Sequence, residues 1–369
     1  MNILLLGGTG TLSAAVLHKS ISEGHHVCIF NRGHNNKDIP KNVDIIIGNF
    51  DNRERLKDVA NHNQYDVVID FLSRRPKDIE RSFLVFKDRC KQYIFISSAC
   101  VYRRSPEDFP IKEQSPKPNV KWSYNIEKYE CEQNLKELSK GASCYYTIIR
   151  PYITYDDNRI PLGIAPAYKY HRTIIERIKA GKPMFVWDEG KAITTVTHTN
   201  DFAKGVVGLF LNNKAENEDF HITSSFKVTG KELLEVLFKQ LGRTANIVSI
   251  PSSTIMKELP QYAEMLEGDR SLDASFNNQK IKDAVKDLEF EIDVEEGISR
   301  VINNYDQLNT FDYDYAFEGQ VDKLLSTQGI KTKFIQYPGA HVCSYIKYMI
   351  YKNMSYRIAS KLCQIIKIK

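Results

Sequence analysis

Asn2-Ile-Leu-Leu-Leu6-Gly7-Gly-Thr-Gly10-Thr-Leu-Ser13 is the stretch that decides the fold of this chain. A short apolar run passes into a glycine-rich turn, and an amphipathic pattern (Leu12, Ala15, Val16, His18, Ile21) starts at once. Gly7 permits a tight turn and Gly10 lets the backbone approach a pyrophosphate. The free N–H groups of the helix start, at Thr11 and Leu12, face its phosphates. Ser13 holds the third glycine position and is small enough for close helix–strand packing. A strand before the turn and a helix after it make this a dinucleotide site rather than a structural turn.

Outward from this turn, strand and helix patterns alternate through the first 150 residues. Strands are predicted at His26–Phe30, Val43–Ile47, Val67–Phe71, Gln92–Ser97 and Tyr145–Arg150. Helices are predicted at Leu12–Glu23, Arg53–Asn61, Ile79–Cys90 and Ser123–Leu138. Short Val/Ile/Phe runs separated by amphipathic helices specify an α/β, Rossmann-type doubly wound parallel sheet. After Pro151 the rhythm loosens, with prolines at 161, 166 and 183. Helices are expected near Ala167–Ala180, Asn200–Leu211 and Gly230–Leu241, and strands near Met184–Trp187, Asp219–Ile222 and Ile247–Ile250. These read as a smaller mixed α/β substrate-binding cap at the sheet's C-terminal edge. The expected partition is 1–150 for the dinucleotide domain and 151–329 for the substrate region, which can return elements to the first domain. Residues 330–369 form a basic amphipathic appendage, with helices at Val342–Asn353 and Ser355–Ile366.

The net charge of +5 is unevenly placed. No Asp or Glu follows Lys323, whereas eight Lys or Arg fall from Lys331 to Lys369, so residues 1–330 stand at −3. Seven cysteines form no CxxC pair, and most fall in predicted strands and helices, as expected of reduced thiols in a cytoplasmic protein. The first apolar run is itself the first strand, which argues against a signal peptide, and no apolar stretch reaches transmembrane length. No metal site is expected.

Tyr124-Asn-Ile-Glu-Lys128 places a phenol and an ammonium on one helix face. A neighbouring cation makes the phenol usable as a proton donor or acceptor near neutrality. The fifth strand ends Phe95-Ile-Ser97-Ser98-Ala-Cys-Val-Tyr102, so hydroxyls leave the strand end where open α/β sheets bind ligands. Together with Arg150-Pro151, His198-Thr-Asn-Asp201 and Phe220-His-Ile-Thr223, these motifs resemble the extended short-chain dehydrogenase/reductases, the NAD-dependent epimerase/dehydratase family. The layout is closest to that of its UDP-glucose 4-epimerases, over residues 1 to about 325.

The resemblance implies roles for residues at these positions. Ser98 hydrogen-bonds substrate, Tyr124 is the catalytic acid/base, and Lys128 binds the nicotinamide ribose and tunes Tyr124. The cofactor would also meet Asn49 and Phe50 at adenine, Phe71, Leu72 and Ser73 along its ribose and phosphates, and Ser97. The backbone after Arg150-Pro151 would line the nicotinamide pocket. Asn31 and Arg32 close the second strand where an NAD-selective site carries an acid, which favours NADP(H) over NAD(H). Ala99-Cys100 replaces the Asp-Glu pair of the family's 4,6-dehydratases, so epimerisation or net hydride transfer on a sugar nucleotide is expected instead. Among Arg159, Arg172, Arg177, Lys182, Arg243 and Arg270, the favoured diphosphate contact is Arg270. The resemblance also implies a homodimer. Two alternatives stay open. The chain could be an NADP-binding member that acts as an RNA-binding or regulatory protein. Its basic tail could also meet a membrane surface or RNA, although packing on its own protein or a partner subunit is the favoured reading of that tail.

Overall fold

The computed structural model describes residues 1–307 and 312–366. In chain order the first elements are β1 (Asn2–Leu6), α1 (Thr11–Ser22), β2 (His26–Asn31), β3 (Asp44–Ile47), α2 (Arg53–His62), β4 (Tyr65–Asp70) and α3 (Pro76–Phe86). They continue with β5 (Cys90–Ile96), α4 (Ser123–Leu138), β6 (Tyr145–Pro151) and β7 (Thr154–Tyr155). Next come α5 (Arg172–Lys179), β8 (Met184–Trp187), β9 (Ile193–Thr195), β10 (Thr197–His198), α6 (Thr199–Gly208), β11 (Glu218–Ile222), β12 (Lys227–Thr229), α7 (Gly230–Gln240) and β13 (Ile247–Ile250). The remainder is helical: α8 (Ser252–Glu258), α9 (Ala263–Met265), α10 (Gln279–Ala284), α11 (Val294–Gln307), α12 (Tyr315–Ser326), α13 (Val342–Asn353) and α14 (Tyr356–Ile365).

The chain divides into two compact units, each drawn from separate stretches. The first comprises residues 1–155, 195–226 and 274–292; the second comprises 156–194, 227–273 and 293–369. The first unit is built on a seven-stranded sheet in the order β11-β6-β5-β4-β1-β2-β3, and its registered pairs are all parallel. Strand alternation sorts its apolar residues onto two faces. Ile3 and Leu5 join Val16, Leu17, Phe202 and Val206 on one side, where α1 and α6 pack. Leu4 and Leu6 join Leu56, Ile79, Phe83 and Leu135 on the other, under α2, α3 and α4. The strand order reverses between β1 and β4, which makes their C-terminal ends the crevice where such sheets bind ligands.

One expected boundary shifts. The helix predicted over Ile79–Cys90 starts at Pro76, where a proline suits the first helical turn, and stops at Phe86, so that Cys90 opens β5. The strand expected near Asp219–Ile222 is β11, an edge strand of the main sheet paired Phe220 to Ile149, so region 151–329 returns an element to the first unit.

In the second unit β8 and β13 pair in parallel, Met184 opposite Ile247. Arg177 and Lys182, offered above as diphosphate contacts, are buried against α12 instead. Arg177 lies 3.0 Å from Glu318 and 2.8 Å from Asp322, and Lys182 lies 2.6 Å from each carboxylate. Tyr348 of α13 donates to Asp322 at 2.7 Å. Gly319 permits the close crossing of these helices, since a Cβ there would stand 2.5 Å from the Tyr348 carbonyl oxygen. The described part of 330–369 therefore belongs to the second unit and packs on α12. Lys367 and Lys369 of the basic tail lie outside the described residues.

Candidate active site

Gly7 and Gly8 turn the chain out of β1 with φ of +124° and +111°, conformations that side chains rarely adopt. A Cβ on Gly8 would stand 2.8 Å from Ile29, and one on Gly7 would stand 3.4 Å from the Cβ of Phe71. Phe71 and Leu72 thus flank the turn. Gly10 caps α1, and Ser13 closes the turn by accepting from the Gly10 N–H at 3.0 Å. The N–H groups of Thr11 and Leu12 stand in the first helical turn, which offers them no intrahelical acceptor. This arrangement fits a pyrophosphate.

The loop after β4 is shaped by Asp70, a residue sequence reasoning missed. Its buried carboxylate accepts from the N–H groups of Leu72 and Ser73, from Ser73 Oγ at 2.6 Å and from Tyr93 Oη at 2.7 Å. The signal was a lone carboxylate closing the apolar strand Val67-Val68-Ile69-Asp70. The loop so formed presents the Ser73 carbonyl to Lys128.

Lys128 is buried on α4, one turn beyond Tyr124. Its Nζ donates to the Ser73 carbonyl at 2.8 Å and to the Ile96 carbonyl at 2.9 Å, with the Phe95 ring 4.8 Å away. Burial pulls this ammonium down to about 8. Tyr124 is half-buried, with its ring 5.0 Å from that of Trp122. Ser98 is buried at the end of β5, and its Oγ accepts from the Cys100 N–H at 3.2 Å to cap a 3-10 turn over Ala99–Val101. Cys100 is a buried thiol in that turn. Asn125, beside Tyr124, is fully buried, and neither atom of its amide has a hydrogen-bond partner in the described structure. Periodicity gave no warning of it.

Ser97, expected at the cofactor, is turned elsewhere: its Oγ donates to Glu132 at 2.6 Å. Glu132 in turn takes two bonds from the buried Arg150 guanidinium, at 2.8 and 2.7 Å, and Arg150 also pairs with Asp219 and donates to Tyr102 Oη. Tyr102 Oη lies 3.3 Å from His221 Nδ1, and His221 Nε2 lies 2.7 Å from the Asn277 carbonyl. Burial drives His221 down to about 4, so the ring is neutral near pH 7. Arg150 thereby anchors β6 rather than facing a ligand. Beyond it, Ile153 adopts φ of +29°, strain of the kind that gathers at functional sites, two residues after Pro151. His198 caps α6, accepting from the Asn200 N–H at 3.3 Å.

The remaining expected residues are placed as follows. Asn31 accepts from the Gly33 N–H at 2.7 Å and donates to Asn36 at 2.8 Å, so its amide builds the turn after β2; Arg32 is exposed. Asn49 accepts from the Asp51 N–H, and Phe50 lies 4.9 Å beneath the Arg81 guanidinium. Arg270 belongs to the second unit, where it is ion-paired with the buried Asp269 and its carbonyl accepts from Trp187 Nε1 at 2.9 Å. Its charge also helps to lower the pKa of Arg159, although burial is the larger cause. Arg172 is occupied by Glu176 and the Tyr305 carbonyl.

A parallel seven-stranded sheet with a glycine turn at its switch point, and Ser98, Tyr124 and Lys128 on β5's exit and α4, defines a Rossmann-type dinucleotide-binding protein. Residues 3–223 match the model of the NAD dependent epimerase/dehydratase family, and the chain belongs to that family. Chloroplast stem-loop binding protein of 41 kDa b from Arabidopsis thaliana is 29% identical over 253 residues, 65% of this chain and 63% of that protein. The chain thus matches less than two thirds of that relative's length. 2'-Dehydrokanamycin reductase of Streptomyces kanamyceticus is 21% identical over 272 residues, 73% of this chain and 75% of that one. In fold, the chain resembles the UDP-glucuronic acid 4-epimerase of Bacillus cereus solved with UDP-glucuronic acid and NAD. The TM-score is 0.66 at 16% identity, covering 83% of this chain and 99% of that chain.

Proposed function

We propose that this chain is an NAD(P)-dependent epimerase or reductase acting on a hydroxyl or carbonyl of a sugar nucleotide, in a homodimer formed through α4 and its neighbour α3. A bound nicotinamide would supply and accept hydride. Gly7, Gly10, Thr11 and Leu12 would hold the pyrophosphate, Phe71, Leu72 and Ser73 the adjoining ribose, and the backbone after Pro151 the ring. Tyr124 takes the proton of the reacting hydroxyl and returns it to the ketone, while Ser98 fixes that oxygen. Lys128 keeps a cation one helical turn from the phenol. The observation that carries this reading is Lys128: a buried ammonium, held on the Ser73 and Ile96 carbonyls between the β4 loop and the β5 end. Ala99 and Cys100, buried where a dehydratase carries its acids, support hydride chemistry without elimination of water. Tyr124→Phe is the test: turnover of a UDP-hexose should fall by about 10²-fold or more, with dinucleotide affinity kept. Unchanged turnover would sink the reading. Tightly bound NAD(H) retained on purification supports epimerisation, and exchangeable NADPH supports reduction.

A second reading is favoured by one finding, the stem-loop binding relative. On it, the chain binds RNA and keeps the dinucleotide as a regulatory ligand. Gel-shift titration of an RNA stem-loop with and without NADPH separates the two readings.

A further inference from the structure

Fourteen large hydrophobic side chains are exposed among the described residues, and eight of them fall in residues 342–366. Their spacing on α13 is regular. Val342, Tyr345, Ile346 and Met349 stand at i, i+3, i+4 and i+7, one continuous helix face. The other face is already used, since Tyr348, Ile350 and Tyr351 are buried in clusters that include Tyr315 and Ala316 of α12. The following helix repeats the pattern. Ala359 and Cys363 of α14 are buried in the same cluster as Ile350, while Ile358 and Ile365 are exposed seven residues apart, with Met354 and Ile366 beside them. A helix that only docked on its own protein would carry polar residues on its outer face. The outer face of α13 is largely apolar as well, and on α14 the exposed Ile358 and Ile365 stand among Arg357, Lys361 and Gln364.

Charge identifies the occupant. Lys331, Lys333, Arg357 and Lys361 are exposed and Lys347 is half-exposed, with no Asp or Glu anywhere from residue 324 to 369. Lys352 is excluded from this set, because its Nζ is spent on the Thr332 carbonyl and Tyr348 Oη. A second copy of the same face would bring like charges together. RNA would want stacking rings, whereas seven of the eight exposed side chains are Val, Ile or Met. Aliphatic side chains interleaved with lysines suit the headgroup boundary of an anionic bilayer, where the chains sink a few ångströms and the ammonium groups meet phosphate. No helix among the described residues is long and apolar enough to cross a membrane. We infer that α13 and α14 form a monotopic docking surface for an anionic phospholipid membrane, laid flat on it through Val342, Ile346, Met349 and Ile358. This surface is independent of the proposed chemistry, so its failure would leave turnover, and the Tyr124 test, untouched.

Flotation of the full chain with lipid vesicles tests it. The chain should rise with phosphatidylcholine–phosphatidylglycerol vesicles, not with phosphatidylcholine alone, and the binding should weaken as salt is raised. Ile346→Ser with Met349→Ser should abolish flotation. Lys347→Gln with Lys361→Gln should lower partitioning by about 25-fold, near fivefold for each lysine. Circular dichroism and dinucleotide affinity should be unchanged in both variants. Absence of binding, or equal binding to neutral vesicles, overturns the inference. So does capture of an RNA stem-loop in place of vesicles, or self-association that depends on Ile346 and Met349 without flotation.

Discussion

Lys128 donates its ammonium to the carbonyl of Ser73 across 55 residues of chain, at 2.8 Å. One buried cation thereby joins the helix that carries Tyr124 to the loop that flanks the glycine turn. Replacing it with methionine keeps the volume and removes both carbonyl contacts. Dinucleotide affinity in Lys128→Met should fall by roughly tenfold or more, since a charged hydrogen bond contributes about 1.5–3 kcal/mol. The urea midpoint should move little, because exchanging a buried charge for an apolar side chain of similar size also removes its desolvation cost. Calorimetric titration with NADH and NADPH measures the first effect, and denaturation the second.

The Glu132–Arg150 pair should behave oppositely. Both side chains are fully buried, so Glu132→Ala strands a guanidinium with Asp219 as its remaining carboxylate. A loss of about 3–5 kcal/mol in unfolding free energy is expected. The double variant Glu132→Leu, Arg150→Met should recover part of it. Urea unfolding of the three proteins decides this, and a double variant worse than the single one would show that the pair does more than balance charge.

Acid should weaken the protein well above the carboxylate range. Burial lowers His171 and His221 to about 4, from an ordinary value of 6.5. The unfolded chain therefore binds a proton at each ring as pH falls from about 6.5 to 4, and the native state does not. Stability is full above 6.5 and is lost through this window, by roughly 3 kcal/mol per ring if the whole shift is expressed. The denaturant midpoint should drop between about pH 7 and pH 5. His221→Gln should show a shallower drop.

Cofactor preference should rest on Arg32. Asn31 spends its amide on Gly33 and Asn36, leaving the exposed guanidinium next to it as the group available to a 2'-phosphate. Arg32→Ala should weaken NADPH by about tenfold or more and NADH hardly at all. Equal losses for the two would place Arg32 on the adenine rather than the phosphate.

What the sequence disclosed follows from the range of the interactions. The glycine turn is local chemistry, and so are the periodic helices over Ser123–Leu138 and Val342–Asn353, whose observed bounds match the expected ones. The strands Met184–Trp187 and Ile247–Ile250 were equally legible. Ile79, Phe83, Phe86 and Cys90 keep helical spacing past the true end of α3, because a buried strand start and a buried helix position look alike in a list of apolar residues. The strand at Glu218–Ile222 was visible, but its place in the sheet was not, since its partner lies about seventy residues earlier. Asp70, Asn125 and Glu132 read as ordinary polar residues. Only the fold reveals that Asp70 is closed in by Tyr93 and Glu132 by Arg150, and that the Asn125 side-chain amide has no hydrogen-bond partner among the described residues.

Arg177 and Lys182 leave the ribosome some 140 residues before Glu318 and Asp322, the carboxylates that neutralise them. Until α12 emerges, closing the second unit would seal two cations without counter-charge, at a cost of several kcal/mol each. This unit is thereby obliged to wait for nearly the whole chain, while every strand of the seven-stranded sheet is already made by residue 222. Synthesis and folding order are coupled by electrostatics, so a premature stop between residues 293 and 317 would release a finished dinucleotide fold attached to a remainder whose two buried-site cations lack their carboxylates.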